Sequence, residues 1–459
     1  MKVCRSVPGI VLVAFVFAVA AVGSSRGWTG EKDGSVTERQ WPNFRGPLRT
    51  GVAPRADPPV EWSEGKNVRW KIELPGLGHS SPVVWDDRIF LTSALPVGDP
   101  LPEPRYSGRP GAHNNLPISR KQRFLVLAYD RTDGDLLWRA VVHEQLPHEG
   151  GHETGSYASA SPVTDGERVY AFFGSYGLYC LDAFDGEVIW EKAFGDQFTL
   201  HGHGEGASPA LWGDALFVNW DHEEESFVAA FDKRTGRERW RVPRDEGTSW
   251  STPIVVEHDG NAEGNGNAQL VVSATGAVRG YDVETGTELW RASGLSSNVV
   301  ASPVAGEGLV YALSSYTFRS GLVIRLDGAS GDLDGGDRIA WRIRDRTPYI
   351  PSPLLHDGML YFLAHYQGVL SRVEGETGEE PTGPFRLGPL REVYASPVAA
   401  AGRIYLVDRG GVTLVISTDP EPRELAENRL DDRFSATPAL VDDELFLRGE
   451  RFLYALREE

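Results

Sequence analysis

The sharpest chemical signal in the chain is His201, His203 and Glu205, separated by Gly202 and Gly204. In an extended segment a period of two puts all three side chains on one side. Imidazole and carboxylate together suit zinc or another transition metal. A second cluster comprises His148, Glu149, His152 and Glu153. On a helix His148 and His152 would share a face, but Gly150 and Gly151 between them disfavour a helix, so the cluster reads as a loop. The alternative for both clusters is ordinary solvated or hydrogen-bonded loop residues. Asp332, Asp334 and Asp337 alternate like the oxygen ligands of a calcium loop. They lack the distal glutamate of such a loop and fall where a turn is simply longer. Neither a Gly-x-Ser-x-Gly elbow nor a phosphate loop occurs, and no catalytic residue is assigned.

These groups must be positioned by a repeat. Residues 161–190 contain four short apolar runs broken by Asp165-Gly166, by the Gly174 to Gly177 stretch and by Asp185-Gly186. Asp-Gly between alternating runs signals tight hairpins, so the stretch is a four-stranded antiparallel meander. Its opening dipeptide recurs at Ser81, Ser161, Ser208, Thr252, Ser302, Ser352, Ser396 and Thr437, each followed by proline. Its closing turn recurs as an Asp, a Gly and then a Trp, leading to Trp138, Trp190, Trp240, Trp290 and Trp341. The predicted fold is all-β: a single eight-bladed β-propeller of four-stranded antiparallel blades. The last repeat lacks its fourth strand, and Trp70 sits in a matching run near 68–73, so an N-terminal strand is expected to close the last blade.

In such a ring the loops leading into each Ser/Thr-Pro line one mouth of the axial channel. They carry His79, Tyr157, His203, Glu205, Trp250, Asn298, Tyr349 and Tyr394. This mixture of aromatic and polar groups suits a ligand or partner site, or a plug of the narrow axis. The two histidine-bearing loops enter successive blades and are expected to converge there. Trp70, Trp138, Trp190, Trp240, Trp290 and Trp341 are assigned to packing between blades.

Residues 1–23 read as an export signal: Lys2 and Arg5, then an apolar run from Gly9 to Val22 and a small-x-small site ending at Gly23. An uncleaved membrane anchor is the other reading. Residues 24–40 form a polar linker and 41–459 the propeller. A Pro- and Gly-rich insertion at 95–123 is read as a tolerated surface loop, with a functional lid as the alternative. Loss of the signal would remove Cys4 and leave Cys180, so no internal disulfide is expected. The net charge of −19 argues against a nucleic-acid partner.

The Ser-Pro opening, the Asp-to-Gly-to-Trp closing turn and the eight-fold count resemble the pyrroloquinoline-quinone-type repeat family. The lead-in Trp41 to Pro47, the run Trp250 to Pro253 and the run Tyr349 to Phe362 are similar to secreted, planctomycete-type BamB-like propellers. That family includes quinoprotein alcohol dehydrogenases and outer-membrane assembly scaffolds. The resemblance implies an exported, periplasmic or secreted propeller. It also implies one of two roles, a protein- or ligand-binding scaffold or a quinone-dependent dehydrogenase with a calcium-held quinone on the axis. The adjacent cysteine pair and the haem motif common in those dehydrogenases are absent from the sequence. The preferred reading is therefore a non-catalytic scaffold without a cofactor, associated with outer-membrane assembly by analogy alone. Pyrroloquinoline quinone with calcium is the alternative. A metal-dependent enzyme using His201, His203 and Glu205 is the third.

Overall fold

The computed structural model describes Met1 and residues 37–258 and 267–459. Apart from Met1, the segment read as an export signal, most of the segment 24–40 read as a linker, and residues 259–266, read as a hairpin tip, lie outside the described residues. The rest forms eight antiparallel blades in sequence order. Blade 1 comprises Val83–Trp85, Arg88–Val97, Lys121–Asp130 and Leu136–Gln145. Blade 2 comprises Val163–Thr164, Arg168–Phe172, Leu178–Asp182 and Val188–Lys192. Blades 3 to 7 begin at Ala210, Ile254, Val304, Leu354 and Val398. Blade 8 joins Ala439–Val441, Glu444–Arg448 and Phe452–Arg457 to the N-terminal strand Val68–Glu73. Trp70 of that strand faces Ala455 and Ile72 faces Leu453. An N-terminal and a C-terminal segment thus share one sheet, which gives blade 8 its fourth strand.

The recurrent Ser/Thr-Pro dipeptides perform a task beyond opening a strand. Each Ser/Thr backbone N–H faces the neighbouring blade, not its own sheet, and needs an acceptor there. The hydroxyl of the next blade's Ser/Thr provides it. Ser81 N–H donates to Ser161 Oγ at 2.8 Å, Ser161 to Ser208 at 2.9 Å and Ser208 to Thr252 at 3.1 Å. Thr252 donates to Ser302, Ser302 to Ser352, Ser352 to Ser396 and Ser396 to Thr437, each at 2.9 Å. Thr437 N–H returns to Ser81 Oγ at 3.1 Å and completes a closed circle of eight hydrogen bonds. The proline that follows has no N–H, so the axis-facing strand carries no second orphan donor at that point.

At the outer rim, Trp190 donates its Nε1–H to the Lys233 carbonyl at 3.0 Å and lays its ring on Gly236 of the next blade's turn. Gly236 has φ +67°, and a Cβ there would sit 2.8 Å from the indole, so only glycine fits. Trp70, Trp138, Trp240 and Trp341 meet Gly134, Gly186, Gly286 and Gly378 in the same way. Trp290 departs from the pattern: its Nε1–H donates to Gln269 Oε1 at 2.7 Å. The lengthened turn of blade 5 explains this. Gly331–Asp332 lies parallel to Trp290 and Arg291 as a fifth strand on blade 4. The aspartates read as a calcium loop belong to this connection. Asp334 accepts from the Ser293 N–H and hydroxyl and pairs with Arg342, and Asp332 caps the Asp334 N–H.

The Trp41 to Pro47 lead-in forms the floor of the ring. Trp41 is fully buried and pairs with Val84 of blade 1. Arg45 is buried and donates to the carbonyls of Thr50, Pro353 and Pro397, which ties blades 6 and 7 together; burial pushes its guanidinium down to about 9. Cys180 is a free, buried thiol on the third strand of blade 2. No helix among the described residues is long and apolar enough to cross a membrane.

The hydroxyl circle generates a stability prediction. Ser302→Ala leaves the buried Thr252 N–H without its acceptor and is expected to cost about 1–3 kcal/mol in denaturant unfolding. Ser302→Thr keeps the acceptor and is expected to stay close to the parent, since Thr252 and Thr437 already hold equivalent places.

Candidate ligand cavity at the channel mouth

The loops that join the fourth strand of one blade to the first of the next emerge on one face, together with the tips joining second and third strands. They enclose an axial cavity of about 520 Å³. All eight Ser/Thr hydroxyl-circle residues line it, and Phe44 of the lead-in contributes to its wall. The aromatic mouth residues therefore wall the axis and do not plug it.

One side of the wall is aromatic. Tyr349 stacks on His365 at 5.1 Å between ring centres and lies 5.4 Å from Tyr316. Tyr394 lies 5.8 Å from Tyr366 and carries the Arg409 guanidinium over its ring at 4.7 Å. Trp250 also lines the cavity and donates its Nε1–H to the Gly204 carbonyl at 2.6 Å. Burial pushes the Tyr349 phenol well up, so it remains a neutral donor at physiological pH.

The other side is rich in histidine. His79, His113, His152 and His203 line the cavity, and His201 stands directly behind them. The ring of His113 lies 5.2 Å from that of His201 and 4.8 Å from that of His203; His201 and His203 are 5.4 Å apart, and His152 is 4.8 Å from His203. Burial, reinforced by the three neighbouring imidazoles, pushes His203 down to about 4. Burial, with Arg448, Arg409 and Arg433 nearby, pushes His79 down to about 3. His79 and His203 are thus uncharged at neutral pH. As the side chains stand, no three His, Cys, Asp or Glu among the described residues hold a metal-binding arrangement.

Several sequence expectations change here. Residues 201–205 are not extended: Leu200–Gly202 is a 3₁₀ turn with His201 at φ 59°. The turn brings His201 and His203 together and sends Glu205 elsewhere. Glu205 accepts from the Ser175 N–H at 2.6 Å and the Ser175 hydroxyl at 2.5 Å, beside Gly174, where a Cβ would collide with the carboxylate. Burial pushes Glu205 up to about 8 against these hydrogen bonds. It lines the cavity but is not grouped with the imidazoles. Residues 148–152 spell His-Glu-x-x-His, a pattern that holds zinc when helical. Here Gly151–His152 is extended instead, and the two histidines part. His148 faces the Gln197 carbonyl, whereas His152 Nδ1 faces Thr154. Tyr157 and Asn298 do not line the cavity. Tyr157 sits in a small adjoining pocket, with its hydroxyl donating to the Glu149 carbonyl at 3.3 Å, and Asn298 is fully buried at φ 55°.

The insertion is also more ordered than its composition implied. Its flanks extend the blade 1 hairpin, with Leu95 facing Arg123 and Val97 facing Lys121, so the irregular part is 98–120. That part folds over the mouth and pairs Asn115–Leu116 with Gly151–His152. Arg109 anchors it, stacked over Phe198 at 3.9 Å and paired with buried Glu149 at 3.5 Å. His113 and Asn114 thereby reach the cavity. His113, Tyr316 and Tyr366 had one legible signal: tips between second and third strands exit on the same face as the Ser/Thr-Pro loops.

With this geometry established, comparison with known proteins gives a consistent picture. A family model described as outer membrane protein assembly factor BamB matches residues 122–223 and 224–458. The chain is 21% identical over 353 residues to the outer membrane protein assembly factor BamB of Yersinia pestis, covering 74% of this chain and 81% of that protein. It is 31% identical over 144 residues to a quinohemoprotein alcohol dehydrogenase of Pseudomonas putida, covering 29% of this chain and 19% of that enzyme. The crystal structure of the Pseudomonas putida enzyme superposes with a TM-score of 0.54 at 11% identity, over 92% of this chain and 81% of that one, a likeness of fold.

Arg109→Ala is expected to loosen the covering segment. Loss of the stacking and the partly buried ion pair should accelerate amide exchange at Arg105 and Ile118, which pair across its base, by about tenfold, with little change in the blades. Hydrogen exchange by mass spectrometry reads this directly.

Proposed function

The chain belongs to the family of the outer membrane protein assembly factor BamB, and we propose that it is an exported, non-catalytic scaffold that binds another protein. The observation that carries this reading lies on the outer rim. Among the described residues, exposed large apolar side chains concentrate on two neighbouring blades: Leu136, Leu137 and Val141 on blade 1, and Phe184, Val188 and Ile189 on blade 2. The two blades are locked side by side, because Trp138 of the first donates to the Ala183 carbonyl of the second at 3.2 Å. Their outermost strands, Leu136–Gln145 and Val188–Lys192, are open sheet edges. An apolar patch beside an unpaired edge suits a partner that adds an extended segment, with backbone hydrogen bonds for affinity and side-chain contacts for specificity. By analogy with the assembly factor, that partner is a component of outer-membrane protein assembly.

The quinone reading meets an obstacle in the cavity wall. Pyrroloquinoline quinone carries several carboxylates and needs cationic or calcium-bearing surroundings. The cavity lining has Glu153, Glu205 and Glu392 but neither lysine nor arginine. Without a bound cation such a lining disfavours an anionic quinone, which would need a calcium ion held by those glutamates.

A photo-cross-linking residue at position 137 or 189 is expected to capture a membrane-assembly component in the native host. The same probe at Leu425, exposed on the outer strand of blade 7, should not. Equal capture at all three positions would overturn the rim assignment, and quinone-dependent reduction of an electron-acceptor dye by the purified protein would overturn the non-catalytic one.

A further inference from the structure

We propose that His113, His201 and His203, with His152 beside them, form a binding site for one divalent transition-metal ion of the zinc class at the channel mouth. The argument starts from spacing. Imidazoles bound tetrahedrally to one zinc at the usual distance have ring centres about 5 Å apart. The three rings here are separated by 4.8, 5.2 and 5.4 Å. They come from two segments far apart in sequence, the insertion and the loop entering blade 3, so chain neighbourhood does not by itself explain the meeting.

The second argument concerns which nitrogen is available. His113 Nδ1 lies 2.8 Å from the Gly111 carbonyl and His201 Nδ1 lies 3.2 Å from the Pro110 carbonyl. A carbonyl oxygen only accepts, so each Nδ1 is the donor and Nε2 is left as the nitrogen on which a metal ion would bind. A ring N–H donated to a backbone carbonyl is the arrangement that orients metal-ligating histidines. His203 Nε2 is buried and has no hydrogen-bond partner. A Cβ at Gly111 would lie 2.7 Å from His201 Nδ1, so the glycine admits that ring against the backbone.

An all-imidazole set selects a borderline metal over calcium or magnesium, which require oxygen ligands. As the side chains stand the nitrogens do not converge, so binding requires the rings, that of His113 on the covering segment among them, to re-orient. His152 stands one ring away from His203, with Nδ1 accepting from the Thr154 N–H at 3.2 Å. His113 and His203 face the 520 Å³ cavity, so a bound ion would keep a position open toward it. The set differs from the one read in the sequence, because His113 takes the place given to Glu205.

The test is a calorimetric titration of the purified, untagged, metal-stripped protein with Zn²⁺, together with Cu²⁺ as a paramagnetic probe. The expected result is saturation at one equivalent, with nitrogen superhyperfine structure from at least three imidazoles in the Cu²⁺ spectrum. His203→Ala and His113→Ala should each weaken Zn²⁺ binding by at least tenfold. His113 is exposed on the covering segment, so its removal leaves the blades intact even if His203→Ala disturbs the fold. His148→Ala, whose ring faces the Gln197 carbonyl, should leave the affinity unchanged. Absence of saturable binding, binding that survives His113→Ala unchanged, or a Cu²⁺ spectrum without nitrogen coupling would overturn the site.

Discussion

The structure depends on a circle of eight hydrogen bonds around its axis. Each backbone N–H at the start of an inner strand is directed at the next blade, where its own sheet cannot satisfy it. A hydroxyl one carbon from the neighbouring backbone provides the acceptor at 2.8 to 3.1 Å in every case. An eight-membered circle needs every blade to present the same residue type at the same depth. That requirement holds the axial end of each blade in register, and the N-terminal strand and the indole-on-glycine contacts close the outside.

The same geometry creates the cavity. A meander of four strands sends its Ser/Thr-Pro entry loops and its second-to-third-strand tips to one face, whereas the lead-in occupies the other. Histidines and tyrosines therefore collect around a ring of hydroxyls. Arg45 and Arg448 stay out of the lining and donate to backbone carbonyls and to Ser80. The wall combines hydroxyls, phenols and imidazoles with the carboxyl groups of Glu153, Glu205 and Glu392. The outer rim of blades 1 and 2 offers a second, chemically different surface, apolar and beside open sheet edges.

The insertion is held by the loops at the channel mouth. Arg109 uses Phe198 and Glu149 of two other loops to hold it across the mouth. Glu149 also accepts from the Thr199 N–H and hydroxyl, so one buried carboxylate fixes the covering segment and the loop entering blade 3 together. Composition alone suggested a tolerated excursion. Ion pairing and a two-residue strand gave it a definite path.

What repeats was legible in the residues themselves. The eight Ser/Thr-Pro dipeptides, the Asp-to-Gly-to-Trp turns and the unmatched Trp70 run determined the blade count, the antiparallel meander and the closing strand. Each is a local pattern whose meaning follows from turn chemistry and strand alternation. The face on which the entry loops emerge was legible too, which placed His79, Trp250, Tyr349 and Tyr394 on the cavity wall. Side-chain direction within those loops was decided only by the tertiary structure. Glycines at 202 and 204 adopt positive φ, so spacing by two did not mean one face, and Glu205 turned to Ser175 while His201 and His203 met His113. Tyr157 and Asn298 fell behind the wall for the same reason. A strand's alternation is imposed by its backbone, but a loop takes its path from its neighbours, and those neighbours are brought together only when the ring closes.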